Sequence, residues 1–264
     1  MTATPVAVEI RDHIATVTVS RPPVNAVDRA TNELLRDTFR SFADNRDVRV
    51  VVFTGAGDRA FIAGADLKEQ QQLASSSPPI LPASAELDRG RAVREAFLAI
   101  RDCAVPVIGA INGPAIGAGM AYAAMCDVLF AVETATFSAP EIGVGLLGAY
   151  SHLQRLVGPY RARSLFLSGG SVSAHELQRL GTVEEVVGSA DLLRTVYELA
   201  GRIAAASPIA VRLAKEVIAR TEGLPLGDAY RLEQDYTTRL RGFADSKEAL
   251  LARAEGRAPR WSWE

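Results

Sequence analysis

The chain has 264 residues, 48% of them hydrophobic and 23% charged, with a formal net charge of −2. That composition excludes a disordered segment, and the near-neutral charge leaves no basic field for nucleic acid or an anionic membrane surface. The length accommodates one large domain, or one domain with a helical annex, around a sizeable core.

Residues 6–10 and 14–19 are two β-rich runs separated by Arg11, Asp12 and His13, which reads as a hairpin. The segment before them has neither a basic region nor a long apolar stretch, so no signal peptide is expected. Over residues 29–43, Leu34, Leu35, Phe39 and Phe42 recur at helical spacing, and a buried-type strand follows at 49–53. Residues 75–85 (SSSPPILPASA) have the composition of a loop beside the site. A strand at 105–111, a helix at 117–125 and a strand at 128–132 come next, so mixed ββα units recur through the first half. The charge-free run 103–126 is long enough to span a membrane, but Pro106, Pro114, Asn112 and its glycines divide it into strand, turn and small-residue helix. Cys103 and Cys126 flank that run with no metal-ligand spacing; they read as buried, reduced thiols, which implies a cytoplasmic setting. From residue 190 the strand signals stop and helices punctuated by Pro208, Gly223-Leu224-Pro225 and Gly242 take over. The expected division is an α/β core over 1–189 and a helical region over 190–264.

Two glycine-rich segments each follow a strand. In Ala60-Phe61-Ile62-Ala63-Gly64-Ala65-Asp66-Leu67-Lys68, Gly64 permits backbone geometry closed to other residues and Asp66 can cap the next helix. In Ile111-Asn112-Gly113-Pro114-Ala115-Ile116-Gly117-Ala118-Gly119-Met120, Ala118 and Gly119 open a helix of small residues. Taken singly, either reads as a tight turn that lets helix and strand pack closely. Taken together, they can supply two converging N–H groups, which stabilise negative charge developing on a carbonyl oxygen.

The ordered motifs resemble those of the crotonase, or enoyl-CoA hydratase/isomerase, superfamily. The resemblance runs from Ser20-Arg21-Pro22 and Val24-Asn25-Ala26, through residues 61–68 and 110–119, to Met125-Cys126-Asp127, Pro140-Glu141-Ile142-Gly143 and Gln154-Arg155-Leu156. It implies a crotonase-like spiral of ββα units with a C-terminal helical trimerisation region, assembled as a homotrimer or a dimer of trimers. It also implies an acyl-CoA thioester substrate and an oxyanion hole from the N–H groups of Ala65 and Ala118. The implied substrate-binding set is Val24, Ala26, Ala63, Asp66, Leu67, Lys68, Ile116, Pro140 and Phe243. No cofactor or metal is expected, since coenzyme A is carried by the substrate; no nucleic-acid or membrane partner is expected either.

Family hydratases use two glutamates. The alignment places Ala121 where the first would stand, while Glu141 matches the second. Loss of a positioned acid/base group commonly costs about 10²–10⁴-fold, which argues against ordinary hydration. A single carboxylate suits proton transfer between carbons of an enolate, as in the Δ3,Δ2-enoyl-CoA isomerases the chain also resembles. The alternative is an acyl-CoA-binding or regulatory protein without catalysis. As a base, Glu141 needs a raised pKa, which Ile142, Val144, Leu146 and Leu147 could provide by forming an apolar pocket. Tyr150 and His152 stand where family hydratases tend to carry glycines, and read as either proton-transfer groups or satisfied polar side chains.

Overall fold

The computed structural model describes residues 4–74 and 83–264. Strands β1 (Val6–Arg11) and β2 (Ile14–Val19) form the expected antiparallel hairpin, with Asp12 and His13 at positive φ in its turn. The next elements are α1 (Arg29–Ser41), β3 (Val50–Gly55), α2 (Leu67–Ala74), α3 (Ala83–Arg101) and β4 (Val107–Ile111). Then come β5 (Ala115–Ile116), α4 (Ala118–Ala124), β6 (Val128–Val132), β7 (Thr136–Ser138) and a 3₁₀ turn at Pro140–Val144. Elements α5 (Tyr150–Val157), α6 (Pro159–Ser168), β8 (Ser171–Ser173), α7 (Ala174–Arg179) and β9 (Glu185–Val187) complete the α/β part. The chain ends in α8 (Leu192–Ala205), α9 (Pro208–Thr221), α10 (Leu226–Arg241) and α11 (Ala244–Glu255).

The main sheet runs β1-β2-β3-β4-β6-β9, parallel from β2 onward, and a smaller sheet runs β5-β7-β8. Every residue of β3 and β4 is buried, as expected for central parallel strands covered on both faces, whereas β2 alternates and the edge strand β1 is mostly exposed. The ββα order expected from the sequence is present in β1-β2-α1, β4-β5-α4 and β6-β7-α5. Among the described residues, no helix is long and apolar enough to cross a membrane, and residues 107–124 divide into β4, β5 and α4. Both cysteines are free and buried, and burial pushes the Cys103 thiol up to about 11.

Residues 75–82 of the expected loop lie outside the described residues, and its last three positions open α3 instead. The region after residue 190 is helical, and its first helix packs on the main sheet. Helix α8 packs across β2, β3, β4 and β6, and Leu192, Val196, Ala200 and Ala204, spaced four apart, belong to the main core. A separate apolar cluster starts only with α9, where Ile209 and Leu213 meet Tyr236 of α10. Lys215 of α9, 3% exposed, reaches Asp127 at 2.6 Å and fastens this unit to the end of α4, while the other Asp127 oxygen accepts from the Val107 N–H.

Candidate active site

The first glycine-rich segment lies between two others. On one side Val27 N–H donates to Gly64 O at 2.9 Å, Asp66 N–H donates to Val27 O at 2.9 Å, and Ala63 N–H donates to Val24 O at 3.1 Å. On the other, Ile116 N–H donates to Ile62 O at 3.0 Å. In this parallel bridge Val27 faces Ala65 and bonds its two neighbours, so the Ala65 N–H points the other way. It makes no backbone hydrogen bond among the described residues. Gly64, at φ +103°, lets the chain pass the Ile116 carbonyl, which an added Cβ would approach to 3.2 Å.

Two polar side chains hold this arrangement. Asn25 is 3% exposed; its amide donates to the carbonyls of Ala56, Ala60 and Phe61, and its oxygen accepts from the Arg21 N–H. The Arg21 guanidinium donates to Ala26 O and pairs with Asp28 at 2.7 Å and Asp66 at 3.2 Å, joining the ends of both loops. In the sequence Arg21 and Asn25 stand only within the family motif, and an asparagine next to prolines in a turn is the one local signal of their role. Asp66 accepts from the Lys68 N–H at 3.0 Å, the expected cap of α2.

The second segment turns at Gly117, with φ +55° and ψ −112°, where Gly117 N–H donates to Ser138 O and α4 begins. Ala118, at the first position of α4, makes no backbone N–H hydrogen bond among the described residues, as helix starts allow. An added Cβ on Gly117 would lie 3.9 Å from Gly64 Cα and 2.5 Å from Glu141 Oε1. The two turns and the carboxylate therefore meet at one point. Gly119 belongs to the same contact, since a Cβ there would overlap the Ile62 carbonyl.

Glu141 follows Pro140 in the 3₁₀ turn after β7. Its carboxylate lies between Gly117 and Gly148, whose added Cβ would come within 2.5 Å of Cδ. Oε2 is buried without a hydrogen-bond partner, and burial pushes the carboxyl above its ordinary range, opposed by its own backbone amide. The apolar pocket expected from Ile142, Val144, Leu146 and Leu147 does not form around it. All four are exposed, Leu147 by 82%, and the backbone of Gly117 and Gly148 packs against the carboxylate instead.

Of the expected binding set, Val24, Ala26, Ala63, Asp66, Leu67, Lys68, Ile116 and Pro140 lie on these same segments around Gly64, Gly117 and Glu141. Lys68 is exposed beside a surface cavity of about 450 Å³ that also has Arg29, Asp28, Glu33, Asp66 and Glu69 in its wall. The carboxylates outnumber the cations there. Phe243 is not brought to this point within one chain; it caps α11 and packs in the apolar cluster of Tyr236, Ile209 and Leu213. Ala121 is fully buried in α4. Tyr150 stacks edge-on with Phe166 at 5.4 Å, and burial lowers the pKa of His152, with the nearby Arg155 adding to the effect.

The model of the family described as enoyl-CoA hydratase/isomerase matches residues 9–264. The chain belongs to the enoyl-CoA hydratase/isomerase family. A hydrolase of Rhodococcus jostii (strain RHA1), named for (7aS)-7a-methyl-1,5-dioxo-2,3,5,6,7,7a-hexahydro-1H-indene-carboxyl-CoA, is 39% identical over 87% of this chain and 86% of its own. A protein of the same name from Mycobacterium tuberculosis is 38% identical over 88% of this chain and 92% of its own. The crystal structure of an enoyl-CoA hydratase from Bacillus anthracis is similar with a TM-score of 0.90 and 31% identity, over 99% of this chain and all of that one. The ββα spiral is thus the crotonase fold of this enzyme family.

Proposed function

We propose that this family member binds an acyl-CoA thioester with its carbonyl oxygen between the N–H groups of Ala65 and Ala118, and that Glu141 transfers the proton of the enolate system. The observation that carries this reading is the Glu141 carboxylate, buried against the junction of the two turns with Oε2 unpartnered. Charge arriving on the thioester oxygen would be stabilised by two preorganised donors, one of them at a helix start. With its pKa raised, the carboxyl is a stronger base than an exposed glutamate. Because Ala121 supplies no second carboxylate, one group must both remove and return the proton. Δ3,Δ2-enoyl-CoA isomerisation fits this, with the proton leaving one carbon and returning two carbons away, and atypical hydration follows it.

A second reading is favoured by the two relatives named as hydrolases of a dioxo carboxyl-CoA. In it, Glu141 takes a proton from water that attacks the thioester carbonyl, the C–S bond breaks, and the proton passes to the departing coenzyme A thiolate. The assembly proposed with either is a trimer or dimer of trimers, in which Phe243 would approach a neighbouring subunit's site. Incubation with cis-3-enoyl-CoA and trans-2-enoyl-CoA in deuterated water, read by mass spectrometry, separates these outcomes. Label without added water is expected, and Glu141→Gln should abolish it with binding retained. Net water addition would favour hydration or hydrolysis. Neither label nor release of coenzyme A with any chain length would leave only acyl-CoA binding.

A further inference from the structure

The segment that carries Ala65 is joined to its neighbour by one side chain. Val27 faces Ala65 in their parallel bridge, so the next residues along, Asp28 and Asp66, stand side by side at the starts of α1 and α2. Each carboxylate divides its oxygens in the same way. Oδ1 of Asp28 accepts from the Thr31 N–H at 2.8 Å and caps α1, and Oδ1 of Asp66 accepts from the Lys68 N–H at 3.0 Å and caps α2. The two Oδ2 atoms both accept from Nη2 of Arg21, at 2.7 and 3.2 Å, while Nη1 of Arg21 donates to Ala26 O. The side chains of Arg21, Asp28 and Asp66 are 25%, 29% and 24% exposed, so water screens their charges incompletely.

Without the guanidinium, two carboxylates that now share one nitrogen would face each other, and like charges at that range repel. Parting the two segments at residues 28 and 66 would relieve the repulsion, and it would act one residue from Ala65. A backbone N–H has no rotamer of its own; its direction is set by the peptide plane. For Ala65 that plane is held by the hydrogen bonds of its two neighbours to Val27, both 2.9 Å long, and the second of them belongs to Asp66 itself.

We propose that Arg21 is a positioning residue of this site: by holding Asp28 and Asp66 together it aims the Ala65 N–H at the thioester oxygen, without touching the substrate. This rests on the thioester reading given above. A donor displaced by about 1 Å costs on the order of 10²-fold in rate, because its hydrogen bond matters most as charge develops on the oxygen. Binding of the ground state, spread over the whole acyl-CoA, depends far less on that one contact.

Hexanoyl-CoA labelled at its carbonyl carbon is bound to the full-length protein and read by isotope-edited infrared spectroscopy and calorimetry, beside α-proton exchange with deuterated water at saturating thioester. In wild type the carbonyl stretch should fall below its value in water, because preorganised donors polarise the bond. Arg21→Met should lose most of that shift and exchange on the order of 10²-fold more slowly, with the Kd changed by less than about 3-fold. Arg21→Lys should keep part of both. Arg21→Met/Asp28→Asn should recover part of what Arg21→Met loses, since asparagine still caps α1 and one of the two facing charges is gone. If thermal unfolding shows that Arg21→Met does not fold, Arg21→Lys is compared with wild type in its place. A folded variant that keeps either the wild-type shift or the wild-type rate overturns the inference while leaving the thioester reading intact. Wild type that binds hexanoyl-CoA without a carbonyl shift, or does not bind it, would end both.

Discussion

Gly148→Ala isolates the position of the Glu141 carboxylate from the stability of the fold. Gly148 is not at positive φ, so alanine meets no backbone strain there, and the atoms its Cβ would crowd are the far end of one flexible side chain. The added carbon would lie 2.5 Å from Glu141 Cδ and 2.9 Å from Oε1. Ordinary contact begins near 3.4 Å, so the carboxylate must move by about 1 Å. A displacement of that size at a reacting group costs on the order of 10²-fold in rate, whereas rotating an otherwise unbonded carboxylate should change folding by less than ~1 kcal/mol. Gly143→Ala is the control in the same segment, since a Cβ there meets nothing within 4 Å. Exchange of acyl-CoA α-protons with deuterated water, measured beside thermal unfolding, is the assay. A Gly148→Ala protein that keeps both its melting temperature and its exchange rate would refute the assignment of Glu141.

Three further outcomes are expected. Glu141 has a folded-state pKa raised by burial, so its contribution to stability is fully present below the ordinary glutamate value of 4.5 and is lost as pH rises through the folded value. Denaturant titrations across this window should show that loss in wild type and not in Glu141→Gln, and the acid limb of the exchange rate should lie above 4.5. Asn25→Ala strands three carbonyls and the Arg21 N–H around a site 3% exposed, and should cost about 2–4 kcal/mol in urea unfolding. Lys215→Met leaves Asp127 without its cation and should cost about 3–5 kcal/mol, with Lys215→Met/Asp127→Asn recovering part of the loss, as a double-mutant cycle would measure.

Local chemistry accounts for what was legible in the sequence. The hairpin, α1, the buried strands, the α4 start and the capping role of Asp66 follow from periodicity and turn residues, because those signals act within a few positions of the chain. The glycines at 64, 117 and 119 were visible as requirements for unusual backbone or close approach, and the family motifs around them pointed to Ala65, Ala118 and Glu141. The helix α3 was missed because a Ser/Pro run conceals its start, and the packing of α8 on the sheet was not legible because its amphipathic pattern is the same whether it packs on a sheet or on another helix.

The sequence by itself determined which residues can bend, cap or carry charge. Only the tertiary structure decided which of them meet: that Gly117 and Gly148, rather than the apolar residues after Glu141, enclose its carboxylate, that Arg21 and Asn25 fasten the loops, and that Phe243 belongs to the helical cluster of its own chain. The physical reason is that desolvation depends on what approaches a group in space, and a backbone Cα brought from seven residues away leaves no mark in the composition around it.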